Sequence, residues 1–292
     1  LEPCSHHGRP PPSAAALVRE GIARVVVAVG DPNPLVAGKG IQRLRAAGIQ
    51  VDVGLLSDEA RELNLGFFSR MVRKLPWTRM KIAASLDGRT ALDNGLSQWI
   101  TGPAARADGH AWRARASAVL TGVGTVLEDD PRLDVREVQT VRQPLRVVID
   151  SRLQTPATAR ILQPPGSVLI YAAHDDAERR AALEARGAET VMLPGDGGKV
   201  DLEAALRDLA ARGTNELHIE AGHKLNGSLL RAGLVDELLV YLAPKLMGEG
   251  RGMASIGPFT TLDDALGFVF IETERVGPDL GLRARPPGRN HF

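Results

Sequence analysis

The chain has 292 residues, enough for one large or two modest domains with a sizeable core. Hydrophobic residues make up 43% and charged residues 24%, the balance of an ordinary globular protein, and a formal net charge of +1 excludes a global field that draws the chain to nucleic acid or an acidic membrane surface. No apolar run approaches the roughly 20 residues of a membrane helix, and Cys4 is the only cysteine, so no intramolecular disulfide can form. A cytoplasmic location, with no nucleic-acid or membrane partner, is the expectation. The chain opens on Leu1-Glu2-Pro3-Cys4 without an initiator Met, and we read it as beginning inside a domain.

The first elements follow a β-α-β-α order. A short helix over 14–20 precedes an apolar strand over 24–29, and Asp31-Pro32-Asn33-Pro34 is a strong turn signal. A helix over 38–47 should end at Gly48 as its C-cap glycine. A strand over 49–55 then leads to a long helix from Ser57, a natural N-cap, to about Lys74. Two strands are too few to bury both faces of a sheet, so this unit reads as part of an α/β domain. Pro76 stops the long helix, because the residue before a proline is pushed out of the helical region. The expected domains are therefore 1–76 and 77–292.

Beyond the boundary, strands are expected over 78–84, 119–121, 145–150, 168–172, 217–220 and 237–243, with helices over 101–116, 201–212 and 226–232. Thr101 is the expected cap of the first of these helices, with Pro103 in its first turn. Two last strands, 268–276 and 281–285, form an antiparallel pair. Helices fall between the earlier strands and are missing between the last, which implies an α/β fold with a mixed sheet and flanking helices.

Several stretches carry candidate chemistry. In Glu220-Ala221-Gly222-His223-Lys224-Leu225-Asn226-Gly227-Ser228 an apolar strand ends in a carboxylate, and a glycine turn then opens a helix. Such turns gather free backbone N–H groups and the positive helix end at one place, which suits a pyrophosphate, although an ordinary strand-to-helix turn has the same pattern. It is not the G-x-G-x-x-G fingerprint of a dinucleotide-binding Rossmann domain. Gly122-Val123-Gly124-Thr125 is a second glycine-bearing turn after a strand, and Glu128-Asp129-Asp130 is either a solvated turn or a hydrogen-bond acceptor for a ligand. Arg113 and Arg136 could meet as a clamp for a phosphomonoester, but in an arginine-rich chain either could equally be a surface residue. Lys81 with Ser85, Asp87 and Gly88 forms a polar cluster, and in Ser97-Gln98-Trp99-Ile100-Thr101 the indole could wall a flat heterocycle or simply fill a core.

Together these stretches, with Val148-Ile149-Asp150-Ser151, Leu234-Val235-Asp236-Glu237 and Ala243-Pro244-Lys245-Leu246, resemble in order the reductase half of the bifunctional riboflavin-biosynthesis deaminase/reductases. The resemblance implies a dihydrofolate-reductase-like fold and NADPH as the reductant. The implied substrate is the phosphorylated ribosylamino-pyrimidine 5-amino-6-(5-phosphoribosylamino)uracil, whose ribosyl C1′ is reduced. It also implies a homodimer. Carried over by position, Ala83, Trp99, Thr125, Asp129, Ser151 and Gly222, His223, Lys224, Leu225, Asn226, Gly227 and Ser228 are the cofactor set. Ser97, Arg113, Leu133, Arg136 and Glu220 are the substrate set, and Lys81, Asp87 and Glu220 are the candidates for managing protons. The opening Glu2-Pro3-Cys4-Ser5-His6-His7-Gly8-Arg9 resembles the zinc segment of the deaminase half, a partial cytidine-deaminase-like α/β unit. The second cysteine ligand expected nine residues after Cys4 is Ser13 here, and hydroxyl is a poor substitute for thiolate at zinc. Cys4 and His6 are thus read as remnants, no metal site is expected, and deaminase activity is doubtful. Two alternatives stay open: a non-catalytic NADPH-binding remnant, and a reductase of another pyrimidine or pterin.

Overall fold

The computed structural model describes residues 1–5 and 12–292. The chain divides into two compact units, one formed by 1–75 with 290–292, the other by 76–289. In the first, helix α1 (Ser13–Arg19), strand β1 (Arg24–Val27), helix α2 (Lys39–Ala46), strand β2 (Gln50–Val53) and helices α3 (Ser57–Leu63) and α4 (Leu65–Val72) follow one another. β1 and β2 pair in parallel from Arg24–Gln50 to Val27–Val53. Ala14, Val27, Leu44, Ile49 and Val51 form the core on one side, while Val26 and Val53 remain about half exposed. Gly48 takes φ +79° just past α2, and its N–H returns to Arg45 O, as expected of a C-cap glycine. The single long helix expected over 57–74 is broken at Asn64 into α3 and α4. Ser57 is not its cap either, since Leu56 holds that position without a side-chain bond.

The second unit contains strands β3 (Trp77–Ser85) and β4 (Arg89–Leu92), helix α5 (Pro103–Arg115), strand β5 (Ala118–Gly122), helix α6 (Val123–Asp129), strands β6 (Leu145–Ile149) and β7 (Val168–Ala172), helix α7 (Ala177–Glu184), strand β8 (Ala188–Met192), helix α8 (Leu202–Ala211), strand β9 (Glu216–Ile219), helix α9 (His223–Arg231), and strands β10 (Glu237–Ala243), β11 (Gly250–Gly252), β12 (Val269–Val276) and β13 (Asp279–Arg285). Nine strands make one mixed sheet in the order β12-β13-β10-β3-β9-β5-β6-β7-β8. The seven from β10 to β8 run in parallel, and β13 and β12 add antiparallel at one edge. This is the expected α/β fold, a mixed sheet with flanking helices. The parallel strands are nearly continuous apolar runs because both faces are covered; Val168–Ala172 is buried throughout.

Three local expectations change. Gly102, not Thr101, is the N-cap of α5, and its N–H donates to Asp279 Oδ2 at 2.7 Å, with Pro103 first in the helix. Glu128 and Asp129 close α6 instead of lying in a turn, and Asp130 ends the helix in the left-handed region (φ 41°). α7 and β8 lengthen the sheet where no element was expected.

The chain lays down β3, skips a place to β5, runs outward through β6, β7 and β8, and returns to insert β9 between β3 and β5. The direction of strand addition therefore changes beside β9. In open α/β sheets the crevice beyond the carboxyl ends of the strands at such a switch is where ligands bind.

Candidate active site at the carboxyl ends of β3, β5 and β9

β3 and β9 pair so that Met80 lies opposite Ile219, and one residue further on Lys81 faces Glu220. Lys81 Nζ stands 3.9 Å from Glu220 Oε2. From α5, which covers this face of the sheet, Arg113 grips the same carboxylate in a fork: Nε donates to Oε1, and Nη2 to Oε2 at 2.8 Å. Arg113 and Glu220 are only 14% and 13% exposed and Lys81 22%, so three charged groups share a largely water-free space. Burial works against the Glu220 carboxylate, but the charge and hydrogen bonds of Arg113, with Lys81 nearby, outweigh it and hold the group well below the usual carboxylate range. Burial pushes the Lys81 ammonium down; Glu220 partly offsets this and Arg113 adds to it. Lys81 is therefore readier than a surface lysine to give up a proton.

Arg113 and Arg136 meet through Asp134 and not directly. Arg113 Nη1 donates to the Asp134 carbonyl at 3.2 Å, and Arg136 Nη1 to the Asp134 carboxylate at 2.8 Å, which also accepts from Arg132 Nε at 2.8 Å. The expected two-arginine phosphate clamp changes accordingly. Arg113 commits its fork to Glu220, whereas Arg136, 47% exposed, keeps donors for an outside anion. His110, three residues before Arg113 on α5 and so on the same helix face, accepts from Arg136 N through Nδ1 at 3.4 Å. Burial, together with the charges of Arg113 and Arg136, pushes His110 down to about 4, so its ring is neutral at pH 7.

The second part of the site is the start of α9. Gly222 is its N-cap, and Asn226 N makes the first helical bond, to Gly222 O, which leaves the N–H groups of His223, Lys224 and Leu225 pointing past the helix end. The start of α6 packs against it. A Cβ built on Gly122 would lie 3.1 Å from Leu225 Cδ2, and one on Gly222 would lie 3.7 Å from Thr125 Oγ1. The two glycine-bearing turns thus form one cradle with the Thr125 hydroxyl beside it, which fits a phosphate-bearing ligand. Gly227 is required for another reason: its Cβ would fall 2.0 Å from Ser255 O. The 253–255 segment straps α9, with Asn226 Nδ2 donating to Met253 O at 3.0 Å and Ser255 N to His223 O at 2.8 Å. Arg231 Nη1 also donates to Ser255 O, while Ser228 Oγ turns back onto Lys224 O at 3.1 Å. The pairing of β11 with β4 delivers this strap and places Arg251 on Glu128 at 2.6 Å.

The remaining candidates distribute unevenly. Ser97 Oγ approaches Asp129 Oδ1 at 3.5 Å, and burial followed by the neighbouring Glu128 charge raises the Asp129 carboxyl. Trp99 is 64% exposed with the Arg106 guanidinium over its ring at 4.6 Å, and Lys245 Nζ donates to Ile100 O at 2.9 Å, tying this loop to the end of β10. Ala83 is half-buried on β3 opposite Tyr241. Ser151, just past β6, accepts from Val200 N at 3.2 Å. Leu133 is 3% exposed with its side chain in the core, so only its backbone can meet a ligand. Asp87 is engaged by the turns on either side of it. It accepts from Ser85 Oγ at 2.5 Å and from the N–H groups of Met247 and Gly248, and these bonds hold it down to about 2. Cys4 Sγ lies 3.4 Å from Ser13 Oγ, so the serine does occupy the place beside the thiol; His6 lies outside the described residues. Asp134, Arg132, His110 and His218 escaped the sequence, although each lies within four residues of a site candidate on a shared helix face, strand face or loop.

The family model for the RibD C-terminal domain matches residues 76–282, which takes in this sheet as far as the middle of β13 and both parts of the site. The chain belongs to the RibD family. It is 45% identical to the riboflavin biosynthesis protein RibD of Escherichia coli K12 over 97% of its own length and 79% of that protein. RibD of Acinetobacter baumannii superposes with a TM-score of 0.90 at 41% identity, covering 98% of this chain and 79% of that one. The deaminase/reductase of Thermotoga maritima superposes at 0.86 with 30% identity, covering 98% and 78%. Within the RibD C-terminal domain the Lys81–Glu220–Arg113 group and the α9 cradle lie side by side. Among the described residues no helix is long and apolar enough to cross a membrane.

Proposed function

We propose that the chain reduces the ribosyl group of 5-amino-6-(5-phosphoribosylamino)uracil to the ribitylamino product with NADPH as reductant. The observation that carries this is the buried Lys81–Glu220–Arg113 group beside the α9 cradle. It joins a proton-handling centre to an anion-binding turn at the sheet's switch point. Gly222, His223, Lys224 and Thr125 would hold the cofactor phosphates, and the cofactor when bound supplies the hydride. Arg136 engages the substrate phosphate, with Asp134 orienting it. The ribosylamine ring opens as the amine proton leaves and the ring oxygen is protonated, giving an imine at C1′. Lys81 then supplies the proton that the imine nitrogen takes up as C1′ is reduced. Glu220 keeps Lys81 aimed, and its negative charge favours return of the ammonium by a proton taken from solvent after turnover, while Arg113 keeps Glu220 ionised. The chemistry of a hydroxyl in place of a thiolate supports a deaminase-like unit that holds no zinc.

The test follows loss of NADPH absorbance with the uracil compound, alongside the corresponding pyrimidine that still bears the amine. The uracil compound should be turned over and the amino-pyrimidine neither reduced nor deaminated, even with zinc added. Arg136→Ala should raise the substrate KM about tenfold or more, with the NADPH KM unchanged. NADPH binding without turnover of the uracil compound would sink the assignment.

A further inference from the structure

Two residues before Glu220, on the same face of β9, His218 has no exposed surface, and neither ring nitrogen has a hydrogen-bond partner. An imidazole with both nitrogens idle is a costly thing to bury, since its N–H gives up water and receives nothing in return. Its Nε2 stands 3.5 Å from Glu220 Oε1, just beyond hydrogen-bond geometry, and a small rotation of the carboxylate would close the gap. Arg113 spans both oxygens of the carboxylate from α5 and Lys81 stands nearest Oε2 from β3, so His218 approaches the Oε1 end, the oxygen away from Lys81 that Arg113 Nε also holds.

We infer that His218 is a positioning residue for the proposed reduction: as a neutral imidazole carrying its hydrogen on Nε2, it steadies the Glu220 carboxylate in the orientation that faces Lys81. This rests on the reductase assignment above. The charged groups around the ring are Arg79 and Lys81 from β3, Arg113 from α5, and Glu216 and Glu220 from β9 itself, while β5 contributes Val119 in register. Two of these cations stand against protonation, and burial acts in the same direction, outweighing Glu220. A charged imidazolium would compete with Lys81 for the carboxylate. A neutral N–H donor fixes the carboxylate's orientation and leaves the proton with Lys81.

The experiment uses the full chain and compares His218→Leu, which fills the space without a donor, with His218→Gln, which restores an N–H near the Nε2 position. The leucine variant should melt close to wild type and bind NADPH normally. Its kcat should fall about tenfold with both KM values within about twofold, and the acid limb of its kcat profile should move upward, because a less solvated carboxylate holds a proton more tightly. Glutamine should recover most of the kcat and the original profile. Equal, wild-type kinetics in both variants would reduce His218 to a packing residue and overturn the inference, as would losses that merely track the folded fraction. Imidazole ¹⁵N spectra, assigned by the signals missing in His218→Gln, give a readout independent of turnover. They should show a neutral ring with hydrogen on Nε2 at pH 7 that responds to Glu220→Gln. A ring hydrogen on Nδ1, or a protonated ring, overturns the inference. If the wild-type chain fails to reduce the uracil compound, the reductase assignment fails on that result alone, and the spectra still decide the contact.

Discussion

Buried side chains near Glu220 gain or lose their charge because of one another, and His110 makes this measurable. Its ring is 4% exposed beside Arg113 and Arg136, and its folded-state value of about 4 lies below the ordinary 6.5. A group with a depressed value binds fewer protons folded than unfolded, so its contribution to stability is fully present above about pH 6.5. That contribution is lost as the pH falls from there through about 4, and a shift of this size corresponds to about 3 kcal/mol. His110→Gln should therefore flatten the fall in melting temperature between pH 6.5 and 4 relative to wild type. An unchanged slope would place the acid sensitivity elsewhere. At this scale the sequence was half legible. Lys81, Arg113, Arg136 and Glu220 are polar residues flanked by motif, and they stood out. His110 and His218 are single imidazoles whose roles depend on what α5 and β3 bring against them. Asp87 shows the converse: its neighbours in sequence look like a site, but two of its partners, Met247 and Gly248, come from about 160 residues away, which the sequence does not announce.

At the scale of elements, the parallel strands could be read from their apolar runs, and β10 and β7 have the expected bounds because burial on both faces leaves no polar interruption. α6 was missed because Gly122 and Gly124 mark a turn by composition, whereas packing against α9 makes seven residues helical. β4 and β11 were missed because a short two-stranded ladder rich in glycine carries no hydrophobic period. The α9 turn carries two glycines whose replacements should behave oppositely. Gly222 has φ −75°, and an added Cβ would make only ordinary contact with Thr125, so Gly222→Ala should fold with an unchanged melting temperature. Its methyl group would nevertheless occupy the mouth of the cradle, and NADPH affinity should fall about tenfold or more, as titration by protein fluorescence can measure. Gly227→Ala forces Ser255 O away from α9, and a clash with backbone should cost about 1–3 kcal/mol of stability as well as affinity. Equal affinity losses with equal destabilisation would mean that the Gly222 turn is structural only.

For the whole molecule, the order of elements was legible but their arrangement was not. Nothing in 217–220 announces that β9 inserts between β3 and β5, because insertion is decided by which crossover covers both sheet faces, a property of all the strands together. The terminal antiparallel pair was foreseen, and its position now raises a question of assembly. β12 is the last strand of the sheet and pairs only with β13 among the described residues. Along it Val269, Phe270 and Ile271 are 51%, 69% and 44% exposed in succession, apolar on both faces at an open sheet edge. A single-chain surface does not hold such an edge without inviting a partner strand or an apolar covering. A two-fold partner of the same chain satisfies both needs at once, because a self-complementary patch closes after two copies. The chain should therefore sediment as a dimer, and Phe270→Asp should shift it toward monomer in a concentration-dependent way while the Lys81–Glu220 group stays intact. A wild-type monomer at tens of micromolar would rule the edge out as a self-association surface. A dimer indifferent to Phe270→Asp would move the interface away from β12.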